Sequence, residues 1–210
     1  METRMKTGVF VGLITLDCIY QTRKSLQPNE KQVAEAMLLA AGGPATNAAI
    51  AFQALGGQAR LVGALGQHPL TTVIRDDLAR QGVELVDLTP TATEPPPFSS
   101  IVVNVETGDR AVISRNAADR PTPNAPFPDS LLDQADCLLI DGHQMALGCH
   151  LAQLARSQQL PVVSDAGSWK TGFEQLLPLA TTVIASANFC PPGTGTEVAA
   201  IAYLRSLNVP

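Results

Sequence analysis

Aromatic residues are scarce in this 210-residue chain: six Phe, two Tyr and one Trp make up 4% of it. Stacking platforms for single-stranded bases are not expected from so few rings. A basic excess is missing too, with 14 Lys plus Arg against 19 Asp plus Glu and a formal net charge of −5. That balance has nothing to follow a phosphate backbone, so no nucleic acid partner is expected. No apolar run reaches the roughly 18 residues of a membrane span, so no membrane partner is expected either. The four cysteines, Cys18, Cys137, Cys149 and Cys190, contain no Cys-x-x-Cys pair, which argues against a secreted disulfide framework. Met1–Lys6 followed by Val9–Ile14 imitates a signal peptide, but the apolar run stops at Asp17 with no small-residue cleavage site. A cytoplasmic location is expected. Neither a Gly-x-x-x-x-Gly-Lys-Ser/Thr loop nor a strand-linked Gly-x-Gly-x-x-Gly is present.

What the chain does have is apolar residues, 45% of the total, enough for a sizeable core. Val9–Leu16, Ala59–Val62, Val83–Leu88, Ile101–Val105, Ala111–Ser114, Cys137–Ile140, Pro161–Ser164 and Thr181–Ala185 have strand character. Thr46–Leu55, Thr71–Arg80, Ala146–Gln158 and Phe173–Leu179 have helical spacing. Gly56-Gly57 and Gly82 suit left-handed helix ends. Thr194 and Glu197 have the spacing of a capping box opening a last helix. Strands apolar on both faces, separated by helices, predict an α/β fold with a largely parallel sheet covered on both sides. Residues 21–41, which fit helix or strand, and 98–116, which form a hairpin turning at Glu106–Asp109, fall outside that alternation. They predict a small β lid. Neither a repeat nor a long linker divides the chain, so residues 1–210 are expected to form one domain.

The most informative segment is Gly42-Gly43-Pro44-Ala45-Thr46-Asn47, leading to Leu55-Gly56-Gly57. Paired glycines before a helix let backbone approach a ligand and supply donors at the positive helix end. Asn47 offers a donor and an acceptor to a hydroxyl-rich ligand. The same residues also describe a plain strand-to-helix turn with a capping Asn, and a turn-capping Asp is the lesser reading of Asp17. Asp141, His143, Cys149 and His150 cluster in sequence, yet the adjacent Cys149 and His150 point to different helix faces, and no metal site is assigned. In open α/β sheets ligands sit beyond the carboxyl ends of the strands, where Asp17, Gly42-Gly43 and Asp141 are expected.

These residues resemble the ribokinase-like (PfkB) carbohydrate kinase family. The matching features are the Gly-Gly pair with Asn47 four residues on, the Leu-Gly helix ending, Asp17 after the first strand, the hairpin after Phe98, and Asp141-Gly142-His143 at a strand end. The last of these has a ketohexokinase-like flavour. The resemblance runs from about Gly8 to Ser186 and implies a ribokinase-like fold and ATP-dependent phosphorylation of a sugar or sugar-like alcohol, with ATP and Mg2+ as cofactors. It implies sugar binding by Asp17, Gly42, Gly43 and Asn47. It places Arg110, Asp141, Ser186 and Asn188 on the phosphate side, and it implies pairing of two copies through lid strands.

Two departures from the family stand out. Ser186-Ala187-Asn188-Phe189-Cys190 lacks the acidic residue of the family's Asn-x-x-Glu, so magnesium ligands are not assigned. The family's Gly-Ala-Gly-Asp segment, which carries its base and anion hole, has no counterpart, so the domain is expected to be truncated at its C-terminal side and impaired in turnover. No catalytic residue is assigned. A non-catalytic sugar- or nucleoside-binding module, or an unrelated nucleotide-binding α/β domain, remain the rival readings.

Overall fold

The computed structural model describes residues 4–115, 127–207 and 209. Residues 1–3 of the N-terminal stretch and residue 116 at the expected hairpin's end lie outside the described residues. The chain begins with β1 (Thr7–Val11), β2 (Thr15–Thr22), β3 (Ala36–Gly42), α1 (Pro44–Ala54), β4 (Gln58–Gly63), α2 (Pro69–Arg80) and β5 (Glu84–Asp87). It continues through β6 (Phe98–Asn104), β7 (Arg110–Arg115), β8 (Cys137–Ile140), α3 (Met145–Ser157), β9 (Val162–Ala166), α4 (Phe173–Leu176), β10 (Thr182–Ala185) and α5 (Glu197–Ser206).

Six strands form one sheet in the order β10-β9-β8-β1-β4-β5, and every neighbouring pair is parallel. Alternation along β1 shows why its sequence is apolar throughout. Val9 and Val11 pack with Leu147 and Leu151 of α3, whereas Phe10 between them packs with Ala45 and Ala49 of α1 and Ile74 and Leu78 of α2. Both faces are therefore covered by helices, as the unbroken apolar runs predict.

The other four strands form a smaller sheet in the order β3-β2-β6-β7. β2 pairs antiparallel with β3 and parallel with β6, and β6 pairs antiparallel with β7. Residues 98–115 form the hairpin expected there, and the ambiguous stretch supplies β3 from its second half.

The sequence reading errs in taking Val9–Leu16 as one strand. β1 ends at Val11, and the chain leaves the six-stranded sheet through Gly12–Ile14 to start β2 in the other. The cause is a distant residue: a Cβ on Gly12 would lie 2.1 Å from Cγ of Asp141, and that carboxylate accepts the Leu13 N–H at 2.9 Å. Asp17 consequently sits inside β2 rather than at the carboxyl end of the first strand. The capping box shifts as well. Thr196, not Thr194, caps α5, its hydroxyl accepting from the Ala199 N–H, while Thr194 donates to the Pro191 carbonyl.

Candidate functional site

The turn from β3 into α1 brings the two glycines against two other parts of the chain. Gly43, the residue before α1, has φ 106°, a conformation that favours glycine. A Cβ there would lie 2.3 Å from the Leu13 carbonyl oxygen, and one on Gly42 would lie 2.0 Å from Oδ2 of Asp17. The glycines therefore let β3 lie flush against the β1–β2 turn and the Asp17 carboxylate.

Asp17 faces Ser99 across β2 and β6, and Ser99 in turn faces Ser114 across β6 and β7. The Ser99 hydroxyl donates to Ser114 Oγ at 3.4 Å, so a polar row crosses three strands. Burial pushes the Asp17 carboxyl above its ordinary range, and the Ser99 hydroxyl offsets part of that rise. Oδ1 of Asp17 is buried without a hydrogen-bond partner among the described residues, as is Oγ1 of Thr15, two residues earlier on the same strand face. Buried acceptors left unsatisfied are uncommon and call for a partner.

Asp141 is nearly fully buried, at 1% exposed, and its oxygens are engaged by the chain itself. Oδ2 accepts from Leu13 N at 2.9 Å and Ala45 N at 3.1 Å; Oδ1 meets His143 N at 2.9 Å and Nδ1 at 3.0 Å. Burial alone would raise this carboxyl, but the His143 side chain and the backbone N–H groups outweigh it and hold the group below its ordinary range. The carboxylate thus caps α1 from another element, meeting an N–H left free in the first helical turn. The Thr46 hydroxyl completes the clamp by donating to the Leu13 carbonyl at 2.9 Å.

Asp17, Gly42, Gly43 and Asp141 are therefore joined through Leu13 where β1 and β8 end. Asn47 is exposed on the first turns of α1, and α1 has no side-chain cap, so the capping-Asn reading fails. Ser186 and Asn188 lie after β10, three strands from β1, or about 14 Å at usual strand spacing. There the Ser186 hydroxyl donates to the Gly167 carbonyl at 2.6 Å and accepts from Asn188 N at 3.1 Å. Arg110 is not brought to Asp17. It begins β7 opposite Val103, four residues from Ser114, or about 13 Å along the strand, and lines a cleft with Lys24, Ser25 and Asp109.

Sequence reasoning missed Ser99, Ser114, Thr46 and Asp77. Asp77 of α2 is buried and accepts the Ala41 N–H at 2.8 Å, pinning β3 just before the glycines. Each has polar neighbours in the sequence, as in Ser99-Ser100, Thr46-Asn47 and Asp76-Asp77, so no local signal set it apart.

Among the described residues, no three His, Cys, Asp or Glu side chains come together as a metal site. Both oxygens of Asp141 are committed to N–H groups of the chain itself. No helix among the described residues is long and apolar enough to cross a membrane.

The sequence profile described as pfkB family carbohydrate kinase matches residues 5–188. No curated protein sequence matches significantly. Solved structures do. An Agrobacterium tumefaciens protein described as a ribokinase aligns with TM-score 0.78 at 24% identity, covering 87% of this chain and 60% of its own. Arabidopsis thaliana ribokinase complexed with ribose and ATP aligns with TM-score 0.73 at 19% identity, covering 98% of this chain and 70% of its own. Giardia lamblia ribokinase aligns with TM-score 0.76 at 16% identity, covering 98% and 66%. This chain thus spans 60 to 70% of the length of these structures. At these identities the likeness shows the shared α/β fold.

Proposed function

Because this chain belongs to the pfkB family of carbohydrate kinases, we propose that it holds a small sugar or sugar-like alcohol for phosphorylation by ATP. One observation carries the reading: the buried, unpartnered Oδ1 of Asp17, set in a polar row and packed against Gly42. A carboxylate there accepts two adjacent hydroxyls, the stronger, charge-assisted kind of hydrogen bond. The exposed Asn47 amide adds a donor and an acceptor from α1. The four-stranded sheet serves as the lid over the bound sugar.

Phosphoryl transfer demands positioning and charge stabilisation more than covalent chemistry from the protein. Asp17, Gly42, Gly43 and Asn47 supply the positioning of the sugar, and the Asp141–Leu13–Ala45 clamp keeps them fixed. The residues after β10, Ser186 and Asn188, lie on the side assigned to the donor. The 210 residues contain no Gly-Ala-Gly-Asp segment, so we expect them to bind sugar with little turnover on their own. We place the chain in the cytoplasm. Two copies would pair through lid strands, where Met37 and Leu38 on β3 and Val112 and Ile113 on β7 are exposed.

Calorimetry with a panel of hexoses, pentoses and nucleosides tests the reading. Millimolar or tighter binding of a sugar, lost on Asp17→Ala, is the expected result. Dinucleotide binding without sugar binding would overturn it in favour of an unrelated nucleotide-binding domain.

A further inference from the structure

Lys170 lies in the loop between β9 and α4, half-buried. Its stem covers Gly142: a Cβ on that glycine would sit 3.2 Å from Lys170 Cδ and 2.8 Å from the Phe173 ring. The Nζ lies 5.5 Å over the centroid of the same ring and donates to the Ser168 carbonyl at 3.3 Å. An ammonium has three donors, and one acceptor is all the described residues supply. Among them no carboxylate lies within the 4.0 Å of an ion pair with Lys170. The nearest negative charges act from a distance. Asp141 has its oxygens occupied, and Asp165, half-buried at the end of β9, makes no hydrogen bond or ion pair among the described residues. A packed, partly desolvated cation without a counter-ion is uncommon, because burial of charge is costly unless it is paired.

We propose that Lys170 receives a phosphate-class oxyanion, the terminal phosphates of the phosphoryl donor, beyond the carboxyl ends of β8 and β9. The assignment rests on the kinase reading above and supplies a cation that Arg110, at the far end of β7, does not bring to the site. Its place agrees with the rule that ligands of open α/β sheets sit beyond the carboxyl strand ends. β9 is two strands from β1, whose end carries the Leu13 turn, or about 10 Å away at usual strand spacing. Burial lowers the Lys170 pKa while the charges of Asp141 and Asp165 hold it up. An arriving oxyanion relieves that desolvation. Two donors of Nζ are free to meet it, and the Phe173 ring beneath fixes the stem.

The test is calorimetric titration of the whole chain with pyrophosphate, with neutral sugars and with a sugar phosphate, for the unaltered protein, Lys170→Met, Lys170→Arg and Asp165→Asn. Lys170→Met should lower pyrophosphate affinity on the order of 10- to 100-fold and leave neutral sugar affinity within about twofold, while Lys170→Arg retains most of the binding. Unchanged pyrophosphate affinity in a folded Lys170→Met protein overturns the proposal. So does equal loss in Lys170→Met and Asp165→Asn together with equal loss of melting temperature, which would mark the two as a structural pair. Binding of the sugar phosphate but not pyrophosphate overturns the donor assignment and moves Lys170 to an anionic group on the substrate. If pyrophosphate binds through Lys170 and no sugar binds, the kinase reading falls and the anion site stands. Independently of any variant, pyrophosphate should protect Lys170 from acetylation as read by mass spectrometry, and equal labelling with and without it would again overturn the proposal.

Discussion

Gly42 lies so close to Asp17 that a single methyl group added to it would stand 2.0 Å from the Asp17 Oδ2 atom. The backbone of β3 thus forms one wall of the carboxylate's pocket, and the orientation of Asp17 depends on Gly42, diagonal to it across the β2–β3 pair, having no side chain. Gly42→Ala should therefore displace the carboxylate and weaken sugar binding on the order of tenfold or more. The φ of Gly42 is not in the left-handed region, so melting temperature should suffer less than binding. Calorimetry paired with thermal denaturation checks this.

Gly43→Ala is expected to behave in the opposite proportion. Its φ of 106° and the Leu13 carbonyl 2.3 Å from the added Cβ combine backbone strain with a clash against rigid main chain. A loss of about 1–3 kcal/mol from strain alone is expected, with the clash adding to it. Urea denaturation would show the shift as a lower midpoint at unchanged slope.

Asp17→Asn separates function from stability. Burial raises the Asp17 carboxyl, so the charged form is disfavoured by the fold, and its cost grows as pH rises above the ordinary carboxylate value near 3.8. At pH 7 the amide should leave stability unchanged or improve it, while sugar affinity falls by about 1–3 kcal/mol. A destabilised Asp17→Asn protein with full sugar affinity would support a purely structural Asp17.

For Asp141 the sign is reversed. Its carboxyl is held below the ordinary value: burial opposes this, but the His143 side chain and the backbone N–H groups prevail. Its stabilising contribution is complete above the unfolded-state pKa of about 3.9 and disappears as pH falls through the lower folded-state value. Melting temperature should thus hold steady from pH 7 to 5 and drop below about pH 4. Asp141→Asn should lose about 1–3 kcal/mol at pH 7 and show a shallower acid limb. The Asp136 carboxyl, lowered by the Thr7 N–H, Lys6 and Arg4, adds a limb of the same sign that persists in the variant.

Exposed apolar residues on the lid strands bear on association. Ile113, 77% exposed on β7, and Met37, 59% exposed on β3, are the positions to charge. If two copies pair there, Ile113→Glu should shift the sedimentation coefficient from dimer to monomer without changing the fold. An unaltered protein that sediments as a monomer across micromolar concentrations would remove this pairing.

Much of the architecture was determined by sequence pattern. Runs such as Cys137–Ile140 and Val9–Val11 are apolar on both faces, which only a covered parallel strand needs, and Gly56 and Gly82 end helices with the positive φ that glycine permits. The Gly42-Gly43 pair and Asp17 were legible for the same reason: unusual backbone and a carboxylate in an apolar strand leave local marks. The tertiary structure decided where the chain changes sheets. Hydrophobicity continues smoothly from Val9 to Leu16, and what divides it is a carboxylate 128 positions away taking the Leu13 N–H. The polar row Asp17–Ser99–Ser114 and the lack of an ion pair to Lys170 among the described residues were likewise decided there. Register across three strands and the pairing state of a lysine are relations between distant segments, and no local periodicity encodes them.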